Sequence, residues 1–376
     1  MYVVSLGHDT KILDTTSRPY ARQLSYATMI QQLTILIPVK EPLVPVQVSG
    51  LSVLPISATS PLLRFWRLFL ATLRQVKQSQ KAGPTLLTVQ SPFEFGLIGL
   101  VVRLLTGVPL EVQVHGDFYS RDYWRLESWG NRLRAGLGLF VLRRATGVRV
   151  VSKRIASSLI TRGVSRHRLT VLPIVTSLEA FQTASPRPLW PDQNKVTIIA
   201  VARFSREKNL PLLINAFKQV HQQQPQSQLI LVGEGSEETS LRAQVARLWP
   251  SAAPVLFYPW QADIASVMKA ADIFALTSDY EGYAMVLGEA MAAGLAIVTT
   301  DVGCVGELCL PDKEALVVPP RDEAALVAAL TRLVADADLR QRLSTAGLTT
   351  ASTLATSDEA YANRIVELWR LITTSK

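Results

Sequence analysis

Cysteine and histidine are scarce. Two cysteines and four histidines in 376 residues leave little material for a disulfide framework or a metal centre. Cys304 and Cys309 match no Cys-x-x-Cys or ligand spacing, and His8, His115, His167 and His221 are scattered. No metal is therefore expected, and a reducing, cytoplasmic compartment is the default. Long hydrophobic runs are also missing. No apolar stretch reaches the ~18 residues of a membrane span; Phe95 to Val102 and Leu137 to Leu142 are short and flanked by arginines. Met1 to Asp14 lacks a basic segment and a small-residue cleavage site, so it is expected to be a first strand and not a leader.

Acidic charge is deficient too, but only in one half. The chain carries 39 Lys and Arg against 30 Asp and Glu, a net charge of +9. Residues 1–193 hold 23 of those bases and 10 of the acids, a net of +13; the remainder holds 16 against 20, a net of −4. Such asymmetry suits a first half that faces anionic lipid, a phosphorylated acceptor or nucleic acid, or one that is simply a solvated basic surface. No zinc-finger, helix-turn-helix or RNP pattern accompanies the charge, so nucleic acid is not expected as a partner.

What the chain does have is alternation. Strand-like apolar runs at Met1–Gly7, Leu33–Val39, Thr85–Gln90, Leu110–Val114, Val148–Ser152 and Leu169–Leu172 alternate with helical patterns at 21–32, 62–80, 94–105, 131–144 and 154–162. Residues 40–60 are Pro- and Ser-rich. After a Ser-, Pro- and Asn-containing linker at 183–194, a second series has strands at Val196–Ala202, Leu229–Val232, Val255–Tyr258, Ile273–Leu276, Ala296–Thr300 and Ala315–Val318. A helix at 322–333 follows, then a polar Ser/Thr stretch and a final helix at 358–371. The pattern predicts an α/β protein of two doubly wound Rossmann-like domains, 1–182 and 195–354, with residues 355–376 packing back on the first.

Three strand-end loops carry candidate chemistry, because ligands of parallel sheets bind beyond the carboxyl ends of the strands. Arg203 and Lys208 follow the first strand of the second series, where two cations could clamp a diphosphate or simply be solvated. Val232-Gly233-Glu234-Gly235 is a Gly-rich turn through which a ligand could approach the backbone. The segment Ser278 to Gly294 sets Glu281 before a helix and Glu289 within it, with Gly294 as the expected helix stop. Helical rise would separate the two acids by about 12 Å, beyond the ~5–9.5 Å of a glycosidase pair and suited to an extended nucleotide-sugar. The N–H groups of Tyr283, Ala284 and Met285 would lie between them, where a helix N-terminus attracts phosphate. Two ordinary solvated acids on an amphipathic helix remain the other reading.

Taken jointly and in order, VARFSREKN, LILVGEG, ADIFALTSDYEG, EGYAMVLGEAMAAG, AIVTTDVG and LVVPPRD resemble the retaining GT-B glycosyltransferases of the glycosyltransferase 4 family. Glu281 to Glu289 matches that family's Glu-x₇-Glu, and Gln113-Val114-His115-Gly116-Asp117 resembles its HG motif. Leu13-Asp14 with Ser17, Arg22 and Tyr26 looks like the opening of a bacterial subgroup. The chain departs from the pattern at the first loop, where Gly7 replaces a glycine pair, at Pro259 and at Ala315.

The resemblance implies two Rossmann-like domains facing a central cleft and a nucleotide-sugar donor, UDP- or GDP-linked. It implies no metal and no cofactor. Arg203 and Lys208 would bind the diphosphate and stabilise the leaving nucleotide, Glu289 would hold the ribose, and Glu281 would contact the transferred sugar. Gly282, Tyr283 and Ala284 would offer backbone contacts, Glu234 would lie on the base side, and His115 would reach the sugar from the first domain. A hexosyl transfer with retention to a glycan or lipid-linked acceptor follows, in polysaccharide or glycolipid synthesis. Basic amphipathic helices suggest peripheral contact with the inner membrane face. A GT-B nucleotide-sugar epimerase, or a non-catalytic nucleotide-sugar-binding protein, is the alternative.

Overall fold

The computed structural model describes residues 1–174, 178–354 and 357–374. The junction expected at 354–355 thus borders residues outside the described ones. The chain divides into two compact units, Met1–Val175 with Thr356–Lys376, and Thr176–Ala355.

Strands of the first unit are β1 (Tyr2–Leu6), β2 (Gln32–Val39), β3 (Val46–Val48), β4 (Leu51–Ser57), β5 (Thr85–Val89), β6 (Leu110–Val114), β7 (Gly147–Val150) and β8 (Leu169–Val171). Among the described residues they form one sheet in the order β3-β4-β2-β1-β5-β6-β7-β8, parallel throughout except for β3 against β4. Central strands read as unbroken apolar runs because both faces are covered. Serine starts several of the covering helices: Ser17, Ser128 and Ser152 each accept a hydrogen bond from a backbone N–H of the following first turn.

The last helix, Asp358–Thr374, belongs to this unit. Tyr361, Ile365, Trp369 and Ile372 pack in one core with Ile35, Ile37 and Leu86. Gly147 permits the approach, since a Cβ there would lie 2.5 Å from Ile372 Cδ1. The same helix face reaches polar strand residues: Trp369 Nε1 donates to Glu111 Oε2 at 3.0 Å, and Arg149 Nη2 donates to the Tyr361 hydroxyl at 2.5 Å.

The second unit contains β9 (Val196–Val201), β10 (Ser227–Val232), β11 (Val255–Tyr258), β12 (Ile273–Leu276), β13 (Ala296–Thr300) and β14 (Ala315–Val318). Their order, β11-β10-β9-β12-β13-β14, is the doubly wound arrangement, and it reverses direction between β9 and β12. Alternate residues feed two cores. Ile199, Val201, Ile230 and Phe274 face one side, while Ile198, Ala200, Leu229 and Ile273 face the other.

Three local expectations need correction. Residues 46–57 form a β-hairpin edge, because Gly50 at φ 79° supplies the turn between the Pro-rich run and β4. The first helix spans Arg18–Ala27, several residues earlier than its apolar pattern suggested, since Ser17 caps it and Pro19 opens it. The Ser/Thr-rich stretch is a helix, Ala337–Thr353. Asp336 caps it through Leu339 N, and Leu339, Leu343, Gly347 and Ala351 recur every fourth residue as its buried stripe.

Candidate active site

Lys208 and Glu281 meet where the second sheet reverses. Lys208 follows β9 and Glu281 follows β12, and Nζ lies 2.5 Å from Glu281 Oε1. Both side chains are mostly buried, 20% and 14% exposed, and Ser278 Oγ donates to the same carboxylate oxygen at 2.7 Å. The pair is held from below. Thr277 Oγ1 donates to the carbonyls of Lys208 and Asn209, and Thr300 Oγ1 donates to the Ser278 carbonyl.

Asp279, Asn209 and Arg321 form a second knot that the sequence reading missed. Asp279 is buried; its Oδ1 accepts Asn209 Nδ2 at 3.0 Å and its Oδ2 pairs with Arg321 Nη2 at 2.5 Å. Its backbone N–H donates to the Glu207 carbonyl. One carboxylate therefore ties together the loops after β9, β12 and β14. Asn209 and Arg321 both adopt positive φ, 46° and 65°. An Asn at that position, and an Arg directly after two prolines, were the available signals.

The helix after Glu281 runs Met285–Ala292, so Tyr283 and Ala284 precede it and the helical spacing between Glu281 and Glu289 does not apply. Ala284 is the N-cap, in the left-handed region at φ 64° and ψ 60°, and gives the first-turn N–H groups no side-chain acceptor. A non-glycine residue in that region is strained, which is the kind of strain found at ligand sites. Gly294 ends the helix as expected: φ is 80°, and Leu295 N donates to the Ala290 carbonyl.

Arg203 is exposed and makes no side-chain hydrogen bond or ion pair among the described residues. Glu234 is also exposed; its Oε1 accepts Trp260 N at 3.4 Å and its carbonyl accepts Phe204 N. The flanking glycines let loops touch each other instead of opening the backbone to a ligand. A Cβ on Gly233 would lie 1.9 Å from the Ala202 carbonyl oxygen, and one on Gly235 would lie 2.2 Å from that of Phe204. Gly303 approaches the Tyr283 carbonyl in the same way. Tyr283 is half-buried, which raises its phenol pKa. Glu289 sits within the helix, partly exposed.

His115 belongs to the first unit, beyond the end of β6. Its Nε2 lies 3.0 Å from Gln113 Oε1, an acceptor, so the proton sits on Nε2 and Nδ1 is left with its lone pair. Burial, then Arg149 and Arg22, hold its pKa down to about 3. Gly116 leaves room beside it for the Phe118 ring, which a Cβ there would meet at 2.5 Å. Asp117 is occupied within the loop by Ser120.

Residues 182–349 match the family model for glycosyl transferases group 1, and residues 4–174 match that for the glycosyl transferase 4-like domain. Together these span nearly the whole chain. The chain belongs to the GT-B glycosyltransferases. Among curated relatives it is 27% identical over 266 residues to the putative colanic acid biosynthesis glycosyltransferase WcaL of Escherichia coli, covering 68% of this chain and 61% of that one. It is 32% identical over 184 residues to the phosphatidyl-myo-inositol mannosyltransferase of Mycobacterium tuberculosis, 47% of each chain. The matched parts thus span about half to three-fifths of these relatives' length.

Among solved structures, this GT-B chain resembles a sucrose-phosphate synthase of Thermosynechococcus elongatus, with a TM-score of 0.79, 20% identity and the whole of both chains covered. It also resembles Anabaena HepE in complex with UDP and glucose, with a TM-score of 0.73, 19% identity and 98% of both chains covered. Both likenesses establish the fold. The two doubly wound units each present their functional candidates at strand ends. The Lys208–Glu281 pair is at the reversal of the second sheet.

Proposed function

We propose that the protein transfers a hexosyl unit, with retention at the anomeric carbon, from a UDP- or GDP-linked sugar to a glycan or lipid-linked acceptor. The observation that carries this reading is the Lys208–Glu281 pair beside the uncapped helix start at Met285. A mostly buried lysine, an exposed arginine at 203 and first-turn N–H groups that no side chain caps lie at strand ends, where a diphosphate binds in doubly wound sheets. On donor binding Arg203 and Lys208 would face the diphosphate, and the sugar hydroxyls would take over hydrogen bonds at Glu281. Glu289 would hold the ribose, Glu234 would lie on the base side, and Gly282, Tyr283 and Ala284 would offer backbone contacts.

Retention without a covalent intermediate fits the carboxylates near this pair. Both oxygens of Asp279 are engaged, so it presents no free nucleophile, and Glu281 is tied through Oε1 to Lys208 and Ser278. In the proposed step the acceptor oxygen bonds to the anomeric carbon as its bond to the phosphate oxygen breaks. The electron pair leaves on that phosphate oxygen, which also takes the hydroxyl proton. Arg203, Lys208 and the helix N-terminus stabilise the charge without a metal ion. An imidazole with a pKa near 3 is a poor general base at neutral pH, so His115 would orient a hydroxyl through Nδ1 and not store its proton.

Peripheral membrane contact at the cytoplasmic face is part of the same proposal. No described helix is long and apolar enough to cross a membrane. The helix Pro61–Ala82 exposes Leu62, Trp66 and Leu70 every fourth residue, beside Arg64, Arg67, Arg74 and Lys77. The helix Trp129–Leu142 exposes Trp129, Leu133 and Phe140 among Arg132 and Arg134. Apolar stripes bordered by bases suit an anionic interface.

The test is a panel of nucleotide-sugars with and without lipid-linked and free glycan acceptors, read by product NMR. Transfer with an anomeric configuration matching the donor is expected. Inversion would sink the retaining step. An epimerised sugar from donor alone would favour the epimerase, and tight donor binding without transfer or hydrolysis would favour a binding protein.

A further inference from the structure

The first unit holds a buried cation without a counter-ion. Arg149, on β7, is 6% exposed, and an arginine stays charged in any protein environment. Its Nη1 donates to Gln113 Oε1 at 3.3 Å and its Nη2 to the Tyr361 hydroxyl at 2.5 Å, while Nε has no partner. Both hydrogen-bond partners are neutral. Burying such a charge is costly unless an anion completes it. Glu111 is the nearest acid on the neighbouring strand, but the Gln113 amide stands between: Gln113 Nε2 donates to Glu111 Oε2 at 3.3 Å.

Arg149 faces a pocket of about 230 Å³ at the strand ends where the first sheet reverses between β1 and β5. Arg22, on the first helix, also lines it and forms no ion pair among the described residues. Asp9 is the one acid among the lining residues, and its Oδ1 is taken by Lys11 N at 3.0 Å. Most of the remaining wall is polar or aromatic, including Gln90, His115 and Trp369, with Ile12, Ile174 and Ile365 as its aliphatic part. Neutral His115 adds no charge of its own. The pocket therefore offers two cations, one of them buried with a free N–H, and hydroxyl and amide groups suited to a polyhydroxylated ligand.

We propose that this pocket is a subsite for an oxyanion carried by the acceptor, a phosphate ester or a sugar carboxylate, with Arg149 as its buried partner and Arg22 at its edge. The acceptor role rests on the transferase reading above; the anion site does not. Charge-assisted hydrogen bonds from a guanidinium are the strong kind, and Nη1 and Nη2 of Arg149 each keep a second N–H beyond those given to Gln113 and Tyr361.

The test uses the full chain, with melting temperature read against inorganic phosphate, glucuronate and glucose. Four proteins are compared: wild type, Arg22→Ala, Arg149→Gln and Lys208→Ala. Phosphate, glucuronate or both should raise the melting temperature of wild type and Lys208→Ala, and glucose should not. Arg22→Ala and Arg149→Gln should weaken the apparent anion affinity about tenfold or more. A response to phosphate alone assigns a phosphorylated acceptor, and one to glucuronate alone assigns a uronic acid. Arg22→Ala carries the test if Arg149→Gln fails to fold, since Arg22 is exposed. No response to either anion, or one that survives in Arg22→Ala and vanishes in Lys208→Ala, overturns the subsite and leaves the transferase reading standing. Anion binding at Arg22 in a chain that transfers no sugar would sink the transferase reading alone.

Discussion

The two units solve the placement of charge in opposite ways. In the second, the functional side chains are mostly paired: Lys208 with Glu281, and Asp279 with Arg321 and Asn209. In the first, Arg149 and Arg22 have no carboxylate partner among the described residues. Apolar exposure divides in the same direction. Of the eighteen large hydrophobic residues exposed among the described residues, fifteen lie in the first unit and three in the second. A surface complete within itself needs only a small ligand to enter it. A surface with unmatched cations and bare apolar residues leaves charge and apolar area for a partner to cover. The second unit thus has the features of a pre-organised binding site, and the first those of a docking face.

The sharpest way to break this contrast is Lys208→Ala. Removing a cation from a pre-organised site should lower kcat/KM for sugar transfer by about 10²–10³-fold. Unchanged turnover would mean the pair is only structural. Next is Gly233→Ala, which drives a methyl onto the Ala202 carbonyl from a backbone at φ 146°. It should cost about 3 kcal/mol of stability in urea unfolding and weaken donor binding with it. An unaltered midpoint would show that the strand-end loops yield easily, against a rigid second unit.

A pH experiment sharpens the first unit's side. The folded pKa of His115, about 3, lies below the ordinary value of about 6.5, so the unfolded chain binds more protons between those limits. The contribution is fully present above pH 6.5 and is lost as pH falls toward 3. His115→Asn should therefore lose less stability than wild type between pH 6.5 and 4, measured by urea midpoints at each pH. Parallel curves would refute the buried neutral imidazole. The smallest structural effect is expected of Trp66→Ser on the exposed stripe. Its stability should stay within about 0.5 kcal/mol, while sedimentation with anionic vesicles should fall several-fold. Equal sedimentation would remove this helix from the docking face.

Legibility followed chemistry more than position. Continuous apolar runs such as Ile273–Leu276 and Ala296–Thr300 marked buried parallel strands to the residue. The helix Ala337–Thr353 escaped because its buried stripe contains Gly347 and Ala351, and packing against the second core outweighs its Ser/Thr content. At the candidate site, Lys208 and Glu281 stood out as charges at strand ends. Asp279 did not, because its importance comes from three loops converging on one carboxylate, and no spacing within a single loop records that. Arg149 was hidden inside a strand-like run, where the lack of an anionic partner is visible only once Tyr361 is folded beside it.

The last helix also sets an order of events on the ribosome. The second unit is one continuous segment and is complete once residue 355 has been made. The first sheet must wait for residues 357–374 before Glu111 gains Trp369 and Arg149 gains Tyr361. Through that interval a strip of bare charge and apolar strand surface stands open, the situation in which nascent chains aggregate or recruit chaperones. A stop codon ahead of Tyr361 would make that interval permanent, leaving the second unit intact and the first without the cover that closes its sheet.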